Sequence, residues 1–572
     1  MKELQPKILS GRPAAQGIGI GKIWILSDEN KPVHPEKINK KDVSKHLEKY
    51  SNAKVVVTED YERVKRLPDD FDLSEIIEAQ IQTLNDPEVD KQVTKKIKNE
   101  LNSAEYAIFS TYNEYIQLLE AADAKWANER TIDIVAIRDE LIQATKEKKR
   151  VFDVRAGEIV FAEDISPTAM VKLSHKNVGG IVMEKGGLTS HAVILSQSLG
   201  IPCVINAHWN RYNIASGNSA IIDGSTGQVI LRPSRKQIDE YEKRREDEIN
   251  RYEKDLEWAQ KPDVTKCGSE FKLRANVEFL EELPKISTHG ASGIGLLRTE
   301  TILFEADDFD VADQIEFYKK VIESVTEHAI TIRLFDAGGD KLIEGSEGEA
   351  NPFLGWRGVR MLLDKRNLLK RQLEAIYTVA GIYPGRVKIL IPMISNVEEI
   401  RIVKKYCKEV QKSLEQSGIN FDKNIPIGIM VEVPGIALMA AEAAKEADFF
   451  SLGTNDLTQY TLAVDRGNER IAHLFDSYHP AVWKLINMTK TAADNAGIPV
   501  AVCGEMAAYP EAAACLMGLG IKDLSMNSSS IPRVKAMLCN HELSEMQLLS
   551  ERVLMAKELI EVHELLENWR TK

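Results

Sequence analysis

The feature that most constrains this fold is a series of eight strand-like apolar runs in the second half of the chain. Each run is followed by a stretch with helical periodicity, so the segment reads as consecutive β–α units. Eight such units over ~300 residues are typical of a (β/α)8 barrel. The sequence therefore predicts a TIM barrel over 265–572. The runs span residues 271–277, 291–298, 329–336, 386–393, 425–432, 449–456, 498–505 and 521–527.

The first half of the chain has a different organisation. Residues 36–145 have helical periodicity without strand-like runs, which indicates a helical bundle. Strand-like segments then resume at 158–160, 178–183 and 220–224. We therefore expect a multidomain α/β protein in which residues 1–35 and 146–232 form one α/β domain and the bundle is an insertion. The charge-rich segment 233–264 is predicted to be a helical linker stabilised by ion pairs four residues apart.

A glycine-rich segment at 15–27 raises the question of a nucleotide-binding loop. Neither GKS nor GKT follows it, and no clear βαβ unit encloses it. A pair of strands interrupted by turn glycines is the favoured interpretation.

Composition excludes several classes of protein. The 572 residues carry 74 basic and 87 acidic side chains, a net charge of -13, which argues against a broad basic face for nucleic acid. We find no apolar run long enough to span a bilayer and no secretory signal, so we expect a cytosolic protein without membrane insertion. The six cysteines have the spacing of neither a zinc site nor a disulfide framework. They lie at 203, 267, 407, 503, 515 and 539.

Polar and charged side chains cluster where the predicted barrel strands end, which is where barrel enzymes carry their active sites. Glu432 and Asp456 end neighbouring runs and would repel each other in a barrel mouth. A divalent cation would remove this repulsion, and oxygen ligands favour Mg²⁺ or Mn²⁺. Either carboxylate could instead pair with an arginine. The strand-end residues are Arg298, Arg333, Asp336, Glu432, Asn455, Asp456 and Cys503.

Four arginines supply planar, permanently charged donors suited to phosphate and carboxylate groups. Arg298 and Arg333 end predicted strands, whereas Arg357 and Arg466 lie in the segments between runs. Together they imply a small molecule that carries both anionic groups. Arg357 could equally form a structural ion pair, and the loop 338–341 could bring backbone amides to an anion.

The strongest local signal in the first half is GGLTSH at 186–191, followed by an apolar helical stretch that stops at Gly200. This order places His191 at a helix amino terminus, where free amides and the helix dipole favour a phosphate. Imidazole is partly neutral, and hence nucleophilic, at cellular pH. A histidine at a helix start can also be a simple capping residue, but the glycines and hydroxyls favour a nucleophile.

Three longer segments carry a resemblance to a known family over essentially the whole chain. They are GLLRTE at 295–300, EANPFLGWR at 349–357 and GTNDLTQYTLAVDR at 453–466. The chain resembles enzyme I of the phosphoenolpyruvate-dependent phosphotransferase system. The resemblance implies phosphoenolpyruvate as substrate, Mg²⁺ as cofactor, the phosphocarrier HPr as partner, and a homodimer formed through the barrel.

Residue by residue, the resemblance implies that His191 is phosphorylated and that Cys503 protonates the enolate to give pyruvate. It also implies that residues 36–145 bind HPr while the histidine domain swivels between HPr and the barrel. Glu432 and Asp456 would be the metal ligands. The substrate would be held by Arg298, Arg333, Asn455 and Arg466. The chain departs from the family's usual pattern at Gln80, Met170, Gln197 and Leu334, where histidine, threonine, arginine and threonine are usual.

Two other functions compete with this interpretation. Enzymes that make or use phosphoenolpyruvate with ATP share the histidine and barrel domains, but they need an ATP-binding domain. Only a helical insertion precedes His191, and no segment of that size fits before residue 145. A regulatory or weakly active homologue is the other alternative, made plausible by Met170, Gln197 and Gln80. The intact set of strand-end residues argues against it.

Overall fold

The computed structural model describes two compact units, Met1–Ile249 and Asn250–Lys572. Within these units, the structure describes only part of the residues. These are 6–26, 34–65, 80–120, 125–145, 154–165, 169–170, 173, 175–185, 192–193, 196, 200–212, 214–300, 302, 310–325, 329–337, 351–466, 471 and 474–570.

The first unit is built on an eight-stranded sheet with the order β1-β8-β7-β3-β4-β5-β6-β2. The central strands β3, β4, β5 and β6 run parallel, and the other four pair antiparallel at the two sides. The strands are β1 (Lys7–Ser10), β2 (Arg12–Ala15), β3 (Ile18–Ile25), β4 (Ile159–Ala162), β5 (Gly180–Met183), β6 (Cys203–Ile205), β7 (Ser219–Asp223) and β8 (Gln228–Leu231).

The glycine-rich segment 15–27 contains one strand, β3, and only the last residue of β2, and these two strands are not partners. β2 pairs with β6, whereas β3 pairs with β4 and β7. The glycines allow backbones to approach closely: a Cβ at Gly19 would lie 2.0 Å from the carbonyl oxygen of Gly179. They therefore serve sheet packing, and the expected strand pair is wrong in its pairing.

The helical segment between β3 and β4 packs on one face of the sheet. Buried residues of its helices, including Tyr61, Val93 and Leu141, form one cluster with Val160 and Ile181 of the sheet. At one helix start, Asp86 accepts hydrogen bonds from the next two free amides, and proline occupies the first helical position. The helices are Val43–Lys65, Pro87–Lys98, Ala104–Glu120 and Lys125–Thr145.

The charge-rich segment after β8 forms the helix Arg235–Leu256, which has no buried residue. Ion pairs join Arg235 to Asp239 and Lys236 to Glu240, one turn apart. The predicted helical character of this segment is therefore confirmed, while the domain boundaries proposed from the sequence stay a prediction.

The second unit contains a closed barrel of eight parallel strands, in the order β9 to β16 with β16 pairing back to β9. Each strand lies inside one of the eight predicted runs, so the predicted TIM barrel is confirmed. The strands are β9 (Lys272–Val277), β10 (Ile294–Leu297), β11 (Ile330–Arg333), β12 (Val387–Ile391), β13 (Ile427–Val431), β14 (Phe450–Leu452), β15 (Val500–Val502) and β16 (Asp523–Met526).

Alternation along the strands separates two sets of barrel residues. One set, such as Leu273 and Ile389, belongs to the large cluster shared with the surrounding helices. The other set points into the barrel and forms a small separate cluster, which fills the interior beneath the strand ends. Its members are Leu296, Leu390, Met430, Phe449 and Cys503.

The helices of the second unit follow the strands in turn, often with recognisable starts. Asn396 accepts a hydrogen bond from the amide of Glu399, whose carboxylate bonds back to the amide of Asn396, a reciprocal cap. The helices are Leu283–Thr288, Val311–Glu323, Val359–Asp364, Arg366–Ile382, Val397–Gln416, Pro434–Leu438, Ala440–Ala443, Thr454–Leu462, Pro480–Ala496, Pro510–Gly518, Ile531–Asn540, Leu543–Met555 and Leu559–Arg570. Of the helices described in either unit, none combines the length and apolarity needed to cross a membrane.

Candidate active site at the barrel mouth

The barrel brings most of the predicted site residues to one rim. Arg333 is the last residue of β11, and Arg298, Glu432 and Cys503 directly follow β10, β13 and β15. Because the strands are parallel, all these positions lie at the carboxyl-terminal face, where βα loops meet.

Asn455 and Asp456 reach the same rim in another way. The sequence predicts that they end a strand over 449–456, but β14 ends at Leu452 and both residues lie in the first turn of the helix Thr454–Leu462. That expectation is corrected: the apolar run stops at Leu452, and a carboxylate is favourable in the first turn of a helix. Asn455 accepts a hydrogen bond from the amide of Glu505 at 3.0 Å, which fixes its Oδ1.

Buried arginines and carboxylates form a continuous lattice at the rim. Arg333 contacts Glu300 at 2.9 Å and Asp336 at 3.2 Å, and Glu300 also accepts the amide of Asp336. Arg357 donates two hydrogen bonds to Asp336, at 3.1 and 2.6 Å, and lies 3.5 Å from Asp456. Arg357 is therefore a structural ion-pair residue, the second of the two roles that its sequence left open.

The lattice is not electrically balanced. Among the described residues, four carboxylates of the lattice are buried against two buried guanidinium groups, so within this set two negative charges are uncompensated when every group is ionised. Uncompensated buried charge is costly, so either a proton or a cation must relieve it. The buried groups are Glu300, Asp336, Glu432 and Asp456, with Arg333 and Arg357.

Glu432 carries much of this excess charge. Its Oε1 accepts a hydrogen bond from the amide of Met393 at 2.6 Å. Burial, followed by the facing carboxylates of Asp456 and Asp336, raises the pKa of Glu432 to about 8, although Arg357 and Arg333 act in the opposite direction. Without a cation, Glu432 is therefore largely protonated at neutral pH.

One carboxylate oxygen in this lattice suits a divalent cation. Oδ1 of Asp456 is buried and has no hydrogen-bond partner among the described residues. Across the same described part of the chain, no group of three or more histidine, cysteine, aspartate or glutamate side chains is arranged to hold a metal. A site of one or two carboxylates, completed by water and substrate oxygens, is the arrangement that Mg²⁺ usually takes.

Gly453 is needed beside Glu432, and its replacement gives a direct test of this packing. A Cβ at position 453 would lie 2.9 Å from both Cβ and Oε2 of Glu432, which is buried and cannot retreat into solvent. We expect Gly453→Ala to lower the free energy of unfolding by about 1–3 kcal/mol, as overpacking does. It should also weaken binding of Mg²⁺, because the carboxylate is displaced.

Thermal unfolding and a Mg²⁺ titration would measure both effects. Gly435→Ala is the matched control, because a Cβ there meets only the carbonyl oxygen of Ser395, at 3.7 Å. Equal behaviour of the two variants would contradict the packing argument.

Arg298 and Arg466 differ sharply in their surroundings. Arg298 is half-buried and donates to Glu278 at 3.1 Å. Burial lowers the pKa of Arg298, but the carboxylates of Glu278, Glu300 and Glu505 together outweigh it and the net shift is upward, so the group stays charged. Arg466 is exposed, and its backbone amide bonds to Gln459 at 3.1 Å. Within the described residues the guanidinium of Arg466 has no ion pair, so it is not a member of the lattice.

Cys503 lies at the rim as a protonated thiol. It is buried, and its Sγ donates to the carbonyl oxygen of Leu452 at 3.5 Å. Burial raises the pKa of the Cys503 thiol to about 11, while the hydroxyl of Ser451 acts in the opposite direction. At neutral pH the thiol holds its proton, as a proton donor must.

His191 lies outside the described residues, as do Gln197 and the loop 338–341. The two residues after His191, Ala192 and Val193, are helical and buried, in agreement with the predicted helix. Met170 is fully buried in the same cluster as these two residues. An apolar side chain therefore suits this position.

Sequence reasoning missed two residues of the rim. Glu300 joins Arg333 and Asp336 but stands in the sequence only as the end of GLLRTE, with no sign of its partner. Asn276 donates to the carbonyl oxygen of Cys503 from a strand 227 residues away. Because these contacts join residues far apart in the chain, no local sequence pattern indicates either of them.

Three family models match successive parts of the chain. The N-terminal domain model of PEP-utilising enzymes matches residues 10–130, and the mobile domain model matches 154–227. The PEP-binding domain model matches 253–543.

Curated relatives match almost from end to end. A phosphoenolpyruvate-protein phosphotransferase of Listeria innocua is 33% identical over 573 residues, covering 98% of this chain and 99% of the relative. Proteins with the same name from Borreliella burgdorferi and Haemophilus influenzae are 33% and 31% identical. The alignment with the Borreliella burgdorferi protein covers 96% of each chain. The alignment with the Haemophilus influenzae protein covers 98% of this chain and 99% of the relative.

Proposed function

Because this chain belongs to the phosphoenolpyruvate-protein phosphotransferase family, it is a transferase, and we propose that the barrel mouth binds phosphoenolpyruvate and that His191 accepts its phosphoryl group. The observation that supports the barrel site most strongly is the buried, negatively unbalanced lattice at the strand ends. A purely regulatory protein would have no need to keep such a costly arrangement.

The substrate's two anionic groups match the donors of the rim. Arg298 and Arg333 bind the phosphate and carboxylate of phosphoenolpyruvate in this proposal. Nε of Arg333 is buried and has no hydrogen-bond partner among the described residues, so it can donate to an oxygen of the substrate. Oδ1 of Asn455 already accepts a hydrogen bond from the amide of Glu505, so in this proposal the amide nitrogen of Asn455 donates to the substrate. Arg466 is included on the family resemblance, and its exposed side chain would have to turn inward.

Glu432 and Asp456 hold a divalent cation in this proposal, and Mg²⁺ fits their hard oxygen donors best. When bound, the cation supplies positive charge to the phosphoryl oxygens of the substrate. Binding requires Glu432 to lose the proton that its raised pKa favours, so the cation takes the place of that proton.

The reaction needs one nucleophile and one acid. An imidazole nitrogen of His191 attacks phosphorus, the bond between phosphorus and the enol oxygen breaks, and the enolate of pyruvate remains in the barrel. The thiol of Cys503 then gives its proton to C3 of the enolate, forming a C–H bond and pyruvate. Solvent returns a proton to the resulting thiolate. Phosphohistidine passes its phosphoryl group to the phosphocarrier.

Three further features follow from the family resemblance and stay predictions. They are HPr as the phosphocarrier, bound by residues 36–145, a homodimer formed through the barrel, and a cytosolic location.

Labelling with phosphoenolpyruvate tests the proposed function. We expect the protein, incubated with Mg²⁺ and substrate labelled in its phosphate, to acquire label that is lost in acid and kept in base, as a phosphoramidate is. Substrate labelled in its carbon skeleton should leave none. Label that survives acid, or an unlabelled protein that still binds phosphoenolpyruvate, would contradict a phosphohistidine intermediate.

A further inference from the structure

We propose that Asn276 is a positioning residue that holds Cys503 in place for proton transfer, an inference that rests on the proposed role of Cys503 as the acid. The amide nitrogen of Asn276 donates to the carbonyl oxygen of Cys503 at 2.9 Å. Asn276 lies on β9, and β16 separates this strand from β15, which Cys503 follows. The side chain therefore reaches across one strand to fix the backbone of a second.

On the side that faces β16, the strand pairing of the barrel ends before it reaches Cys503, whereas on the β14 side the Cys503 amide still donates to the carbonyl oxygen of Leu452 at 3.0 Å. The last paired residues of β15 and β16 are Val502 and Leu524. The Cys503 carbonyl is next in line, and a buried carbonyl without a partner is costly. The amide of Asn276 supplies the partner at the point where the strand turns into the loop.

The orientation of the Asn276 amide is determined by its two contacts. A carbonyl oxygen only accepts, so the amide nitrogen must face Cys503, and Oδ1 must face the other way. There Oδ1 accepts a hydrogen bond from the hydroxyl of Ser525 at 2.5 Å. Gly295 leaves the space that this hydroxyl occupies, since a Cβ there would lie 2.6 Å from Oγ of Ser525.

The turn after Cys503 is held on its other side as well. The amide of Glu505 donates to Asn455 at 3.0 Å. Gly504 packs so closely on Thr454 that a Cβ would lie 1.9 Å from its hydroxyl oxygen. With Asn276 bound to the Cys503 carbonyl, both ends of the segment 503–505 are fixed. The direction of the thiol then depends on these contacts.

The stereochemistry of pyruvate formation tests this role. The experiment uses phosphoenolpyruvate carrying one deuterium at a defined C3 position, in tritiated water, so that protonation creates a chiral methyl group. A fixed thiol adds its hydron to one face, so we expect the full-length protein to give one configuration. Cys503→Ser should release enolpyruvate, which solvent protonates on both faces to give racemic product.

The decisive variant is Asn276→Asp, which keeps the size of the side chain but places an acceptor against the Cys503 carbonyl. We expect pyruvate formation on the enzyme to slow by about 10- to 100-fold, as small misplacements of catalytic groups do, and the product to be largely racemic. Ser525→Ala removes only the hydrogen bond to Oδ1 of Asn276, so it should give a smaller loss of chirality. Single-turnover labelling from phosphoenolpyruvate should persist in both variants, because the lattice residues are untouched.

Asn420→Asp is the matched control, since Asn420 also donates its amide to a backbone carbonyl, that of Gly381, at 2.9 Å. It should leave rate and chirality unchanged. If Cys503→Ser gives racemic product while both Asn276→Asp and Ser525→Ala give full chirality, the positioning role is wrong and the acid role stands. If Cys503→Ser itself gives chiral product, the proposed acid is wrong.

Discussion

Replacing His191 by alanine is expected to abolish transfer of label from phosphoenolpyruvate to the protein. The imidazole is the proposed nucleophile, and alanine offers no atom that can take its place. Phosphoenolpyruvate should still bind, because His191 belongs to the unit Met1–Ile249 and the lattice arginines belong to Asn250–Lys572. Scintillation counting of the precipitated protein and calorimetric binding of phosphoenolpyruvate would measure the two effects.

His208→Ala is a suitable control for this prediction. His208 lies in the same unit and is half-exposed, with its Nδ1 3.4 Å from Glu184. It should be labelled like the wild type. Label that persists in His191→Ala, or disappears only in His208→Ala, would place the phosphorylated residue elsewhere.

The barrel could be predicted from sequence because its strands carry a repeating signal. Strands buried on both faces read as apolar runs, and each helix separates one run from the next. The ends of the runs were less certain. The run at 449–456 contains Gly453, after which a helix begins at Thr454, and the threonine, asparagine and aspartate before Leu457 were the available sign of that helix start.

Pairing could not be read from sequence in the same way. β2 and β3 are separated by only two residues, yet β2 pairs with β6, which lies far along the chain. The same limit applies to the rim. The sequence marks Arg333 as a strand-end cation, but its choice of Glu300 and Asp336 as partners depends on where the strands place them.

At three positions where this chain departs from the residue usual in the family, the structure shows what surrounds the side chain. Leu334 and Met170 stand where the family usually has threonine, and both are fully buried in apolar clusters. Gln80 is buried in the helical segment. Sequence comparison marks these positions as departures, whereas their surroundings indicate that the two apolar substitutions suit their sites.

Removing one carboxylate of the proposed metal pair should eliminate Mg²⁺-dependent transfer without destabilising the metal-free protein. Glu432→Gln retains an oxygen for the amide of Met393 but loses the charge that a cation requires. Asp456→Asn does the same at the oxygen that has no partner among the described residues. We expect transfer to fall by at least about 100-fold, since even outer contacts of a metal site contribute 10- to 100-fold.

The unfolding midpoint supplies a readout that does not depend on activity. A ligand that binds only the folded state stabilises it, by about 2.7 kcal/mol at a concentration one hundred times its dissociation constant. Mg²⁺ should therefore raise the midpoint of the wild type and have little effect on either variant. Without Mg²⁺, neither variant should unfold earlier than the wild type, because Glu432→Gln replaces a side chain that is already largely protonated and Asp456→Asn removes one buried negative charge. Glu399→Gln is the control, since Glu399 also accepts backbone amides but caps a helix, so it should keep the full response to Mg²⁺. A Mg²⁺-induced shift that survives in both Glu432→Gln and Asp456→Asn would show that the cation binds elsewhere, and protonation of Glu432 would then relieve one of the two excess negative charges of the lattice.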